Sequence, residues 1–184
     1  VLIHGSGVDL THFAFKPFAN ESTDRFVLIS RMLWDKGIGE FIEAARTISK
    51  KNLNATFQLV GPSNIDNRTA IPDYVIQEWS KEGIVEYMGM VDDIRSILSD
   101  ATCVVLPSYR EGTPRSLLEA AAIGRPVVTT DTVGCRETVV DGESGFLCKP
   151  RDIEDLGEKM QQVLALSFEA RTVMGLMERK NMEN

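Results

Sequence analysis

Residues 103–124 read CVVLPSYREGTPRSLLEAAAIG, and their pattern is the strongest indication of the fold class of the chain. Its opening run CVVL is apolar throughout, as in a buried strand, and its later apolar residues recur with helical spacing. Between them, Thr113 suits a helix N-cap and Pro114 suits the first helical position, while Gly124 is placed to end the helix. The stretch therefore predicts a strand, a short loop and a helix.

The rest of the chain repeats this order of strand and helix. Further strands are predicted near 26–29, 56–60, 85–88 and 127–130. Helical patterns lie near 38–48, 72–82, 93–99 and 152–165, and the tail 167–184 reads as one more helix. Such alternation favours an α/β fold, a Rossmann-like, doubly wound parallel sheet with helices on both faces. Ligands of such sheets bind beyond the carboxyl ends of the strands, so the loops that follow the strands should carry the chemistry.

The composition limits the partners and the setting. With 184 residues, 43% of them hydrophobic, the chain is long enough for one well-cored domain but short for two. A net charge of -7, spread along the chain, argues against a nucleic-acid partner. Because Cys103, Cys135 and Cys148 form no Cys-x-x-Cys pair, we expect neither disulfides nor a zinc site, but a reducing, cytoplasmic setting.

The two ends of the chain carry expectations of their own. No apolar run approaches the roughly 20 residues that cross a bilayer, and the start lacks the order of a signal peptide, so any membrane association would be peripheral, at the inner face of the cell membrane. The chain opens at Val1 without an initiator Met, and we expect that a preceding part is missing. Four apolar residues of the tail suggest docking against something else: Phe168, Val173, Leu176 and Met177.

Two carboxylates stand on either side of the predicted helix start. Glu111 lies in the loop, and Glu119 lies in the second turn, roughly 7–8 Å along the axis from Pro114. The free amides near 115–117 point back toward the loop, where a phosphate could bind. A nucleotide-sugar, with a sugar, a diphosphate and a ribose, would meet Glu111, the helix start and Glu119 in turn. The alternative is that Glu119 pairs with Arg115 on the helix surface and that Glu111 is a solvated loop residue.

The loop RMLWDKG at 31–37 follows the first predicted strand and adds two cations, Arg31 and Lys36. A departing nucleoside diphosphate gains negative charge in the transition state, and two fixed cations there would stabilise it without a metal. The alternative is that both are ordinary surface cations, which loops before helices often carry.

Other motifs give weaker signals. Gly5-Ser6-Gly7 is a lone Gly-x-Gly, which fits an interdomain hinge better than a dinucleotide fingerprint and disfavours a dehydrogenase. The pair Asp92-Asp93 could suggest a metal site, but its position suits a helix cap. His4 and His12 are the two histidines, and they do not make a His-based catalytic site within this chain. A turn and a short helix explain Gly134, Glu137, Gly142 and Gly145 without ligand contact.

The spacing of Glu111 and Glu119 within EGTPRSLLEA resembles the signature of family-four GT-B glycosyltransferases. Further segments resemble that family in the same order over nearly the whole chain: 7–9, 31–37, 89–93, 106–108, 124–128 and 141–145. The family fold is two Rossmann-like domains that face each other across a cleft, and this chain resembles the C-terminal one. The resemblance implies three parts: the hinge and end of a missing N-terminal domain at 1–20, a donor-binding domain at 21–166, and a helix at 167–184 that docks on the missing domain.

The resemblance also implies a reaction and its site. A retaining, metal-independent transfer would use a nucleotide-sugar donor, with UDP favoured, and a glycan or polyprenyl-diphosphate-linked acceptor held by the missing domain, as in bacterial capsule, O-antigen and lipid-linked glycan assembly. No cofactor and no metal are implied. Arg31 and Lys36 would hold the diphosphate, Glu111 the sugar and Glu119 the ribose. The other donor-binding residues would be Gly112, Thr113, Pro114 and Arg115, with the backbone of Met90 and Val91 at the base.

Three other functions stay open. A sugar-nucleotide epimerase of GT-B architecture would also use carboxylates near the anomeric carbon, although the combined cations and carboxylates favour a transferase. A non-catalytic module would bind nucleotide or glycan without turnover. A glycosidase would need two carboxylates about 5 Å or 6.5–9.5 Å apart across one sugar, and the helix start between Glu111 and Glu119 suits a phosphate better.

Overall fold

The computed structural model describes residues 7–18, 23–51 and 54–183. His4, Gly5 and Ser6, on which part of the hinge prediction rests, lie outside the described residues. Six strands form one sheet: β1 (Asp24–Ile29), β2 (Ala55–Val60), β3 (Glu86–Tyr87), β4 (Cys103–Leu106), β5 (Val127–Thr130) and β6 (Gly145–Cys148). Their order is β3-β2-β1-β4-β5-β6, and every neighbouring pair is parallel. The predicted doubly wound parallel sheet is confirmed.

Helices cover both faces of this sheet. They are α1 (Ile38–Ser49), α2 (Asp73–Lys81), α3 (Arg95–Asp100), α4 (Arg115–Ile123), α5 (Ile153–Ala165) and α6 (Phe168–Met182), with short 3-10 turns at Trp34–Lys36 and Arg136–Thr138. Because successive strand side chains point to opposite faces, Phe26 and Leu28 of β1 enter the core under α1, α2 and α5, whereas Val27 enters the core under α3 and α4. None of the helices in the described ranges is both long and apolar enough to span a bilayer.

Strand β6 is the element that the sequence pattern did not predict. It has only four residues, begins with Gly145, and half exposes Phe146 and Leu147, so it shows neither a buried run nor a clean alternation. A side chain at Gly145 would clash with the carbonyl of Val127 in the neighbouring strand. The glycine therefore lets β6 approach β5, which agrees with the structural role predicted for it.

The helix boundaries differ from the prediction at two starts. Thr113 is not the N-cap of α4: Pro114 takes that place in an extended conformation, without a side-chain cap bond, and the helix begins at Arg115. Gly124 ends α4 with a φ of 86°, as predicted. Before α3, the Asp93 carboxylate accepts the N–H of Arg95 at 3.0 Å, so one aspartate of the predicted cap acts at the helix start although the N-cap position is Ile94.

The described N-terminal segment, residues 7–18, packs against the helical layer of α4 and α6. The Arg179 guanidinium donates to the carbonyls of Phe13 (3.1 Å) and Ala122 (2.7 Å), which ties the segment to the end of α4. Arg125, which is fully buried, donates to the carbonyl of Lys16 at 2.9 Å. The segment is therefore held in place by side chains of the sheet domain. The outer face of α6 exposes Phe168, Val173, Leu176 and Met177, and its docking on another domain stays a prediction.

Candidate functional site

Two loops meet where the parallel strands β1 and β4 end side by side. The carbonyl of Asp35, in the loop after β1, accepts the N–H of Tyr109 at 2.9 Å and the hydroxyl of Ser108 at 3.1 Å, both in the loop after β4. Gly37 has a φ of 72°, and a side chain there would clash with the carbonyl of Pro107. The two loops are therefore fixed to each other at the sheet edge where ligands of such folds bind.

This junction brings two predicted site residues into contact. Lys36 Nζ lies 2.5 Å from Glu111 Oε1, and the two side chains are only 14% and 15% exposed. Charge-assisted hydrogen bonds of this kind are stronger than neutral ones, and partial burial reduces their screening by solvent. Glu111 is therefore not the solvated loop residue of the alternative interpretation, and Lys36 is not an ordinary surface cation.

Arg31 lies at the end of β1 and differs from Lys36 in its surroundings. Its side chain is exposed and forms no ion pair with any described residue. Its carbonyl accepts the N–H of Leu33 at 2.8 Å and the hydroxyl of Ser30 at 3.0 Å, which fixes its backbone. Among the described residues, the loop after β1 thus holds one cation in an ion pair, Lys36, and one outside any ion pair, Arg31.

The loop after β4 presents backbone N–H groups that have no acceptor within the described residues. This holds for Gly112 and Thr113 in the loop and for Arg115 and Ser116 at the start of α4. The N–H of Leu117 donates to the carbonyl of Pro114, so the predicted run of free amides ends one residue earlier than expected. Unpaired amides at a helix start attract anions, and Glu111 and Lys36 stand beside them.

Gly134, in a second glycine-rich segment, packs closely against the loop after β4. Gly134 has a φ of 84°, and a side chain there would clash with the carbonyl of Gly112. Gly142 has a φ of 78° in the turn before β6, and its N–H donates to the carbonyl of Gly145. Glu137 is exposed. Gly134 therefore has the structural role predicted for it, as a close backbone contact of the loop after β4.

Glu119 lies on α4 with its side chain only 13% exposed. Burial raises the pKa of this carboxyl, and the nearby charges of Arg115 and His12 act in the opposite direction. The pairing with Arg115 that we weighed as an alternative exists at 3.6 Å, but Arg115 is 75% exposed and donates no hydrogen bond to Glu119. Glu119 faces a cavity of about 230 Å³ whose other wall is formed by residues 7–13.

The predicted base-binding residues lie in the loop after β3. Met90 is 75% exposed, and Val91 packs against the same hydrophobic cluster as Leu117 of α4. The carbonyl of Gly89, just before them, accepts the N–H of Gly61. The structure records no contact of Met90 or Val91 with Glu119, so their role at the base stays a prediction.

Three residues next to the site, Tyr109, Glu40 and Arg151, were not predicted from the sequence. The Tyr109 hydroxyl donates to Glu40 Oε1 at 2.5 Å, and the Arg151 guanidinium lies 4.5 Å from the centre of the Tyr109 ring. Burial and the Glu40 carboxylate raise the pKa of Tyr109 to about 12, so it remains a donor. Glu40 and Arg151 lie 69 and 42 residues away from Tyr109 in opposite directions along the chain, and no local pattern links them. His12, which we set aside as a catalytic residue, lines the Glu119 cavity.

Within the described ranges, no three His, Cys, Asp or Glu side chains are grouped so that they could hold a metal ion. The groups at the junction are an arginine without an ion-pair partner among the described residues, a lysine-carboxylate pair, and backbone N–H groups without an acceptor there. Such a set presents positive charge and hydrogen-bond donors to a phosphate.

Comparison with known proteins gives a consistent assignment. The protein-family model described as glycosyl transferases group 1 matches residues 23–165. The N,N'-diacetylbacillosaminyl-diphospho-undecaprenol alpha-1,3-N-acetylgalactosaminyltransferase of Campylobacter jejuni is 38% identical over 138 residues, which are 75% of this chain and 35% of that protein. The capsular polysaccharide biosynthesis glycosyltransferase CapM of Staphylococcus aureus is 30% identical over 163 residues, covering 88% of this chain and 42% of that protein.

Solved structures agree with these sequence relatives. Sucrose-phosphate synthase of Thermosynechococcus elongatus superposes with a TM-score of 0.81 and 26% identity, over 96% of this chain and 46% of that one. The chain thus spans between about a third and a half of the length of these three proteins.

Proposed function

Because this chain belongs to the group 1 glycosyl transferases, we propose that it binds the nucleotide-sugar donor of a retaining, metal-independent sugar transfer. The observation that carries this proposal is the largely buried contact of Lys36 with Glu111, next to backbone N–H groups without an acceptor among the described residues at the start of α4. One cation, one carboxylate and several N–H donors converge at the sheet edge. This combination suits a ligand with a negative diphosphate next to a hydroxyl-rich sugar.

The donor diphosphate is assigned to Arg31, Lys36 and the amides of Gly112, Thr113 and Arg115. The Lys36 ammonium has three N–H donors, so it can keep its contact with Glu111 while it donates to a phosphate oxygen. Negative charge grows on the diphosphate as the sugar leaves, and these fixed groups stabilise it more in the transition state than in the ground state. Pro114 and Arg115 complete the turn around the phosphates.

The sugar and the ribose are assigned to the two carboxylates. Glu111 accepts hydrogen bonds from donor-sugar hydroxyls and stabilises positive charge that develops at the anomeric carbon. The acceptor oxygen attacks that carbon on the face from which the phosphate departs, the carbon-phosphate oxygen bond breaks, and the acceptor proton passes to the leaving phosphate. Glu119 accepts from the ribose hydroxyls, and the backbone of Met90 and Val91 meets the base.

The acceptor is proposed from the relatives. The Campylobacter jejuni protein is named for a diphospho-undecaprenol acceptor, and CapM for capsular polysaccharide biosynthesis. We therefore propose a glycan or polyprenyl-diphosphate-linked acceptor, held by a further domain, and a cytoplasmic protein that reaches the inner membrane face peripherally. UDP is the first nucleotide to test.

The proposal is tested by the thermal midpoint of the chain with UDP, GDP, ADP and UDP-sugars, with and without EDTA. A ligand at 100 times its Kd adds about 2.7 kcal/mol, or roughly 5–10 °C for a domain of this size. We expect one nucleotide to give an EDTA-insensitive rise that Arg31→Ala and Glu119→Ala reduce. Lys51→Ala and Glu158→Ala, exposed positions outside the site, serve as matched controls and should leave it unchanged.

Activity of a longer protein that contains this chain separates the remaining alternatives. A transferase consumes the UDP-sugar only with an acceptor and keeps the anomeric configuration, which NMR of the product measures. An epimerase converts the UDP-sugar without an acceptor, and a binding module converts nothing. Absence of any nucleotide-dependent rise would contradict the donor-binding proposal itself.

A further inference from the structure

We propose that His12 is a donor-binding residue that contacts the ribose opposite Glu119, so that the segment 7–13 forms the second wall of the nucleoside subsite. This inference rests on the donor site proposed above and names a residue that the sequence motifs do not include. A cavity of about 230 Å³ lies in front of Glu119. One side is formed by Arg115, Leu118 and Glu119, and the other side includes Val8, His12 and Phe13.

The segment that carries His12 is held in a defined shape. Asp9 Oδ1 accepts the N–H groups of Thr11 (2.8 Å) and His12 (2.9 Å), which closes a tight turn at the cavity rim. The Phe13 ring meets the His12 ring edge-on, with 5.0 Å between the centroids, and packs against the core under α4. Asp9 is therefore a positioning residue, and His12 is presented toward the cavity by a fixed backbone.

His12 and Glu119 line the same cavity. His12 is close enough to lower the pKa of Glu119, against the larger effect of burial. The His12 side chain is exposed, and within the described residues it donates and accepts no side-chain hydrogen bond. Its ring nitrogens are thus free to meet a ligand that enters the cavity.

The chemistry of the two side chains is complementary toward a ribose. An ionised Glu119 only accepts hydrogen bonds, so it takes the hydrogens of the 2′ and 3′ hydroxyls. The hydroxyl oxygens can still accept, and the imidazole of His12 carries an N–H that donates to them. A cis-diol uses both partners at once, whereas an ionised phosphate has no hydrogen to donate to the Glu119 carboxylate.

The test is isothermal titration of the 184-residue chain with UDP and with 2′,3′-dideoxy-UDP. We expect His12→Ala to raise the Kd for UDP about three- to tenfold, the range of one lost hydrogen bond, and to leave the Kd for the dideoxy nucleotide unchanged. His12→Gln keeps an N–H donor and should retain most of the affinity. Lys51→Ala, at an exposed position outside the site, is the control and should change the Kd less than twofold.

The outcomes separate this inference from the donor-site proposal. If wild type binds UDP and Glu119→Ala weakens it while His12→Ala does not, the role of His12 is wrong and the donor site stands. Equal losses for UDP and the dideoxy nucleotide would likewise overturn the ribose contact. If wild type binds none of UDP, GDP and ADP, both proposals fall. Unchanged melting of His12→Ala without ligand excludes a folding defect as the cause of a weaker Kd.

Discussion

Replacing Glu178 by Gln should stabilise the protein in a way that depends on pH. Glu178 lies on α6 and is fully buried, and neither carboxylate oxygen has a hydrogen-bond partner among the described residues. Burial raises the pKa of this carboxyl from 4.5 to about 8, while Ser144 and Asn181 act more weakly in the opposite direction. The folded protein therefore keeps Glu178 protonated at pH values where the unfolded chain ionises it.

The direction and the size of the change in the free energy of unfolding follow from this difference in pKa between the folded and unfolded states. Because the folded-state pKa is raised, the favourable contribution is complete below about pH 4.5 and is lost as the pH rises through about 8. Each pKa unit corresponds to about 1.4 kcal/mol, so the loss reaches about 3 kcal/mol at pH 7. Glutamine has the shape of the protonated acid and does not ionise. Glu178→Gln should thus be more stable than wild type by about 3 kcal/mol at pH 7 but by less than about 1 kcal/mol at pH 5.

Urea unfolding at half-unit steps from pH 5 to pH 8 measures the difference in free energy of unfolding. We expect it to grow by about 1.2 kcal/mol per pH unit between pH 5 and 7.5. Glu158→Gln, at an exposed carboxylate on α5, is the control and should show a flat difference. Parallel profiles for wild type and Glu178→Gln would contradict this prediction, because the buried carboxyl would then not exchange a proton on unfolding.

Three further predictions concern the supports of the site and the core. Gly134→Ala should weaken nucleotide binding more than tenfold in titration, because the alanine side chain would displace the loop after β4. Gly142→Ala is also at positive φ but in open space, so it should lower only the stability of the protein. Arg125→Ala should lower the free energy of unfolding in urea by more than about 3 kcal/mol, since its buried guanidinium donates to several carbonyls; a loss under about 1 kcal/mol would contradict this. Tyr109→Phe should raise the donor KM several-fold with a smaller change in kcat, measured on the longer protein, because it loosens the loop without touching the reacting atoms.

Local patterns in the sequence predict the sheet, most element bounds and the site motifs. The run at 103–106 matches β4 residue for residue, and α4 begins one residue later than predicted and ends at the predicted glycine, because buried strands and helices show a characteristic spacing of apolar residues. The Arg115 and Glu119 contact was also foreseeable, since residues four apart meet on a helix.

The contacts that complete the site depend on distant parts of the chain. Lys36 and Glu111 are 75 residues apart, and only the pairing of β1 with β4 makes them neighbours. His12 showed no local motif, because its setting is created by the packing of residues 7–18 on α4 and α6. Strand β6 was not predicted for a different reason: its four residues are too few and too exposed to show a hydrophobic pattern.

The carbonyl of Asp35, which accepts two hydrogen bonds from the loop after β4, has a consequence for the thermodynamics of ligand capture. It makes the lysine of one loop and the carboxylate of the other a preorganised unit whose ordering entropy is lost during folding and not when a ligand arrives. We therefore expect nucleotide association to be dominated by enthalpy, with small rearrangement of these loops. Substitutions that free the Asp35 carbonyl should make the binding entropy more unfavourable and leave the binding enthalpy nearly unchanged.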